Sequence, residues 1–201
     1  MSKRMVICLA LLGVVVTVAG CGPKAAVKTG FLSDYSRLEA ASSTSLRYLD
    51  TAALRGYSSF IVDPVEGRLY GKARGRISEE DLTDITSYMH AAIVEQLSTN
   101  YTVAYRPGPG VARLRVAITD LKKSNPVMNT IPQTKLTGVG LGGASMEAEL
   151  IDSRTGRQIG AVVESQIGKR LSLAGMSTWG DAKAVMDGWA KRMKKRLDES
   201  R

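Results

Sequence analysis

The sequence predicts an α+β domain, a mainly antiparallel sheet of five strands with two helices packed on one face, in the order β-α-β-β-β-β-α. Three observations predict it. Two stretches, 79–98 and 177–197, repeat apolar residues at three-and-four spacing, the period of a helix with one buried stripe. Five shorter runs, rich in β-branched, aromatic or alternating residues, lie between Gly, Pro, Asn and Asp turn signals. Stripes and alternating strands each carry one apolar face, and each face must be buried against another.

Taken in order, residues 57–63 (YSSFIVD) are apolar and β-branched, and Pro64 stops the strand. The basic, glycine-containing stretch 66–76 reads as a solvated loop. Ser78 then caps a helix with Glu79, Glu80 and Asp81 in its first turn, and Leu82, Ile85, Met89, Ala92, Ile93 and Leu97 form its stripe. Asn100 breaks it, and residues 101–105 (YTVAY) read as a strand. Arg106-Pro-Gly-Pro-Gly110 is turn chemistry. In the following strand Leu114, Val116 and Ile118 face one way and Arg113, Arg115 and Thr119 the other. Residues 122–137 read as a polar loop. A hairpin follows: Ala144, Met146, Ala148 and Leu150 share a face opposite Glu147 and Glu149, Asp152 to Gly156 turn the chain, and Ile159, Ala161, Val163 and Ile167 line the return. Trp179, Ala182, Met186, Trp189, Met193 and Leu197 stripe the last helix.

The amino terminus carries a different signal. Lys3 and Arg4 precede an apolar stretch from Val6 to Val18, within the roughly 7–15 residues of a signal-peptide core and short of the about 20 that a bilayer span needs. Val18-Ala19-Gly20 run straight into Cys21, and this resembles a bacterial lipobox with Val18 where Leu is usual. An ordinary secretory leader is the alternative. The resemblance implies cleavage between Gly20 and Cys21, a diacylglycerol on the Cys21 thiol and an acyl chain on its freed amine. Stable anchoring takes two chains, or one chain and a basic patch. Gly22 in place of Asp implies transfer to the outer membrane, with the inner membrane as alternative. Residues 1–20 are therefore read as a lipoprotein signal peptide, 21–30 as a lipidated tether and 31–201 as the domain. With Cys8 in the leader and Cys21 acylated, no thiol is left for a disulfide or a metal. The net charge of +9 falls by two when Lys3 and Arg4 leave. In an exported protein that charge points to anionic lipid or wall polymer and away from nucleic acid.

Candidate chemistry is sparse. His90 is the sole histidine and sits mid-helix, which argues against a zinc site and against Ser-His or Cys-His dyads. The glycines from Gly138 to Gly143 precede a strand, whereas a phosphate cradle opens a helix, so they are read as close backbone packing or a flexible loop. Glu147 and Glu149 have side-chain roots about 7 Å apart on one strand. They are read as a solvated surface, with acid–base work, joined by Asp152, as the weaker alternative. Lys191, Arg192, Lys194, Lys195 and Arg196 complement the last helix dipole and could touch an anionic surface near the anchor. Trp179 and Trp189, about 80° apart around that helix, are read as core anchors. No catalytic residue, metal or cofactor is assigned.

With these stretches in place, the chain resembles a bacterial lipoprotein family catalogued as domain of unknown function 3313. The residues that carry it are Gly30 to Ser36 (GFLSDYS), Arg106 to Gly110 (RPGPG), Leu114 to Asp120 (LRVAITD), Gly142 to Asp152 (GGASMEAELID), and Trp179 with Asp187 to Ala190 (DGWA). The resemblance implies a lipoprotein and brings no catalytic residues. The element order is also similar to small α+β domains of envelope lipoproteins. The expectation is thus a lipid-anchored, periplasm-facing binding or scaffolding domain whose partner is an envelope protein, anionic lipid or wall polymer. A subunit of a secretion or export assembly is the alternative, and an enzyme acting on wall or lipid is a weaker one.

Overall fold

The apolar stripe of residues 79–98 forms the helix that its spacing predicts, and a sheet of eight strands, not five, lies beneath it. The computed structural model describes residues 26–131, 134, 137–169 and 172–200. The leader, the cleavage pair Gly20 and Cys21, and the first part of the tether lie outside the described residues.

The strands are β1 (Glu39–Ser42), β2 (Ser45–Leu49), β3 (Ser59–Val62), β4 (Glu66–Gly67), β5 (Thr102–Val103), β6 (Val111–Lys122), β7 (Gly143–Asp152) and β8 (Gln158–Ile167). Their order across the sheet is β1-β2-β8-β7-β6-β3-β5, with β4 beside the far half of β6. Pairing is antiparallel from β1 through β6, while β3 and β4 run parallel to β6 and β3 runs parallel to β5. The helices are α1 (Thr51–Leu54), α2 (Glu79–Ser98), α3 (Pro126–Thr130) and α4 (Gly180–Glu199).

Three strands escaped the sequence reading for a physical reason. All four residues of β1 are exposed, so no apolar alternation marks it. β2 is short and half-buried, and β4 is two exposed residues inside the basic stretch. The loop expected over 122–137 also contains α3, where the Asn125 side chain accepts from the Met128 amide at 3.1 Å and Pro126 stands in the first turn.

α2 and α4 pack side by side on one face of the sheet. Ser78 caps α2 by accepting from the Asp81 amide at 3.1 Å. Ile85, Met89, Ile93 and Leu97 of α2 and Ala182, Met186, Trp189 and Leu197 of α4 are buried against Leu114, Val116, Ile118, Met146, Ala148 and Leu150. At about 1.5–3 kcal/mol for each large side chain, this layer is the main source of stability. Two bonds stitch the helices: Tyr88 donates to Asp187 at 2.9 Å, and the Trp179 indole donates to Asp81 at 2.7 Å. Trp189 is a core anchor, whereas Trp179 is only half-buried and stands before the first turn of α4.

The opposite face is covered as well, by residues 26–38 in irregular backbone. Phe31 and Leu32 bury against Ala117, Ala161 and Val163. The stripe read on β8 therefore does not keep to one face. Ile159 joins the helix side while Ala161 and Val163 turn away, because the pairing with β7 slips between Leu150 and Ile151. The glycine run ahead of β7 is close packing. A Cβ on Gly143 would meet the Gln166 carbonyl at 2.5 Å, and the Gly142 amide donates to the Asp181 carboxylate at 2.9 Å.

Candidate site: the amino-terminal strap and its buried carboxylates

Glu147 and Glu149 were expected on a solvated surface and are 0% and 1% exposed. Strand alternation does point both away from the helices, as predicted, but the strap of residues 26–38 lies over them. Glu147 sits in register between Ala117 of β6 and Val163 of β8, and Glu149 between Arg115 and Ala161. Two acids thus occupy the middle of a sheet face shared with Ala117, Ala161, Val163 and Arg115.

Backbone donors of the strap come down onto them at alternate residues. The amides of Thr29 and Phe31 and the Tyr35 hydroxyl donate to Glu147, that of Phe31 at 3.3 Å. Ser33 donates to Glu149 from its amide at 2.9 Å and its hydroxyl at 2.7 Å. Gln158 adds a bond to Glu149 at 2.9 Å, and Arg115 an ion pair at 2.5 Å. Every carboxylate oxygen of the pair is engaged by a donor. Hydrogen bonds to a charged group contribute about 1.5–3 kcal/mol each, and a buried charge is tolerated only when so paired. Burial, and next the bond to Glu147, push the Tyr35 hydroxyl above its ordinary pKa.

The strap packs through Phe31, whose ring lies under the guanidinium groups of Arg115 at 4.9 Å and Arg68 at 5.3 Å. Contact with the domain begins inside the span read as tether, at Ala26 and Thr29. Sequence reasoning missed the strap because it has no periodicity. Two signals were present: the apolar pair Phe31-Leu32 in a polar stretch, and the unbroken run Val116-Ala117-Ile118, which marks a strand covered on both faces.

The other predicted positions are dispersed. Cys21 and Gly20 lie outside the described residues. Asp152 closes the β7–β8 turn. The Thr155 amide at 2.7 Å, then the Tyr57 hydroxyl at 2.8 Å, hold its pKa down at about 2. His90 is half-buried on α2, and among the described residues no cluster of His, Cys, Asp and Glu fits a metal. Of the basic residues on α4, Arg192 pairs with Glu164 at 2.8 Å, Lys194 with Asp198 at 2.5 Å and Lys195 with Glu199 at 3.6 Å. Lys191 and Lys195 are exposed, and Arg196 is half-buried. No helix among the described residues is long and apolar enough to cross a membrane.

Among solved structures, the chain is similar to the PelC dodecamer from Paraburkholderia phytofirmans, at 14% identity and a TM-score of 0.45 over 77% of this chain and 96% of that one. It is also similar to lipoprotein GNA1162 from Neisseria meningitidis, at 16% identity and a TM-score of 0.35 over 71% of this chain and 99% of that one. Comparison with curated proteins finds no match. The family model described as protein of unknown function, DUF3313, matches residues 27–193, from the strap through most of α4, and the chain belongs to that family.

Proposed function

We propose that this chain is a lipid-anchored lipoprotein of the bacterial envelope, and that its domain is a non-catalytic binding or scaffolding module facing the periplasm. The observation that carries the reading is the run Val18-Ala19-Gly20-Cys21 directly after an apolar core of leader length. Diacylglycerol on the Cys21 thiol and an acyl chain on its amine would supply the anchor, and Gly22 favours the outer membrane. The engaged state of Glu147 and Glu149 supports a non-catalytic role, since an acid or base must present a free oxygen to its substrate. Lys191 and Lys195, exposed on α4, suit contact with anionic lipid or wall polymer.

Mass spectrometry of the mature amino terminus, together with membrane fractionation of the Cys21→Ser variant, tests the proposal. The expected result is a triacylated Cys21 as first residue in the native protein and loss of acylation and processing in the variant. A native protein that begins elsewhere, or carries no acyl chain, overturns it.

A further inference from the structure

Between the sheet and the helices lies a cavity of about 110 Å³. Its walls are apolar and include Leu49, Phe60, Met146, Trp189, Met193 and Leu197, while Arg47, Arg192 and Arg196 stand among its lining residues with Glu164. Arg47, Leu49 and Arg196 also line a wider groove of about 610 Å³ beside it, so an apolar slot opens into a roomy vestibule with three arginines and two glutamates in its lining.

Around that mouth Arg37, Arg47, Arg192 and Arg196 stand with Glu39, Glu164 and Glu199, and Glu39 lies in register with Arg47. Glu164 is taken by Arg192 at 2.8 Å and Glu199 by Lys195 at 3.6 Å. Among the described residues neither Arg47 nor Arg196 has a carboxylate within ion-pair distance. Burial, then the neighbouring charge of Arg47, lowers the pKa of Arg196, and Glu164 opposes the shift. Inside, Trp189 is 2% exposed and forms part of the apolar wall.

We propose that this cavity binds the hydrocarbon end of a single-chain anionic amphiphile, such as a fatty acid, with its head group on Arg47 and Arg196. An engineered apolar cavity of about 150 Å³ stays dry and takes benzene, so this one suits a short run of methylenes. A volume of about 110 Å³ is far too small for a helix, which with its side chains is about 10–12 Å across. Met89, Met146 and Met193 in the wall can re-pack to admit more of a chain. The vestibule leaves space for the head group and whatever is attached to it. The site is distinct from the anchor at Cys21, and although Glu149 of β7 is among its lining residues, that carboxylate is engaged beneath the strap.

The test is photolabelling of the full chain in its native membranes with octanoic acid bearing a terminal diazirine, followed by peptide mapping. Labels are expected on the β7 and α4 residues that line the cavity. Arg47→Gln and Arg196→Gln should each raise the concentration for half-maximal labelling about tenfold, the effect of about 1.4 kcal/mol. Ala190→Leu, which fills the cavity, should abolish the same labels. The corresponding diazirine alcohol should label these peptides far more weakly than the acid. Equal labelling by acid and alcohol, labels confined to exposed peptides, or unchanged labelling in the arginine variants overturns the proposal. Displacement by inorganic phosphate as effective as displacement by unlabelled octanoate at the same concentration also overturns it, since the chain would then add nothing to binding.

Discussion

Glu149 gathers an ion pair, two serine donors and an amide in one buried spot. The cost of disturbing it follows from asymmetry: well-satisfied buried charges are close to neutral, but removing one partner strands the others. Glu149→Gln should therefore destabilise the fold by about 3 kcal/mol, toward the lower end for a broken buried pair because Arg115 keeps some access to water. The urea midpoint reads this directly, and a shift within about 0.5 kcal/mol would mean that the strap is not held by this acid. Asp152 gives a pH signature of the opposite accessibility class. Its folded pKa of about 2 lies below the ordinary 3.8, so its contribution is present above about pH 4 and disappears as pH falls toward 2. Asp152→Asn should flatten stability across that window and leave it parallel to the native curve above it, as followed by thermal melts at stepped pH. The roles of both residues were only half legible. Alternation told which way Glu149 points, but not that another segment lies on top of it, since burial by a distant coil leaves no local trace.

Among the secondary elements, those written in local chemistry were legible. α2 begins and ends at the residues its cap, acidic first turn and stripe demand. β7 and β8 followed from alternation, but the slip in their pairing was invisible because it depends on the partner strand. β1 was silent for the reason that an exposed edge strand needs no apolar face. The α2–α4 junction rests partly on Tyr88, whose pKa is raised to about 12 by burial and then by its bond to Asp187. A raised folded value means the contribution is complete below about pH 10 and is lost as pH climbs toward 12. Alkaline unfolding should accordingly begin in that range, and Tyr88→Phe should remove this dependence at a cost of about 1–2 kcal/mol at neutral pH. At the mouth of the β7–β8 pair, Gly143→Ala drives a methyl group against the Gln166 carbonyl. A loss of about 1–3 kcal/mol in chemical denaturation is expected.

For the whole molecule, the sheet is covered twice, by two helices on one side and by a strap of coil on the other. The first layer was readable because a helix stripe and a strand face are complementary periodic signals. The second layer was not, because its fit depends on acids and amides brought together across more than a hundred residues of sequence. A chain that begins at Ser36 should therefore melt many degrees lower than one that begins at Val27, since it leaves Ala117, Ala161 and Val163 wet and strips Glu147 of its donors. At roughly 2–4 °C per kcal/mol for a domain of this size, a drop above about 5 °C is expected in differential scanning calorimetry. The strap has a mechanical consequence. Its grips on Glu147 and Glu149 come at Thr29, Phe31, Ser33 and Tyr35. Tension entering at residue 26 meets them in series, peeling like adhesive tape rather than shearing all at once. Freeing residues 29–35 releases a segment that extends to at most about 25 Å before the force reaches the central strands, so the domain carries its own ripcord.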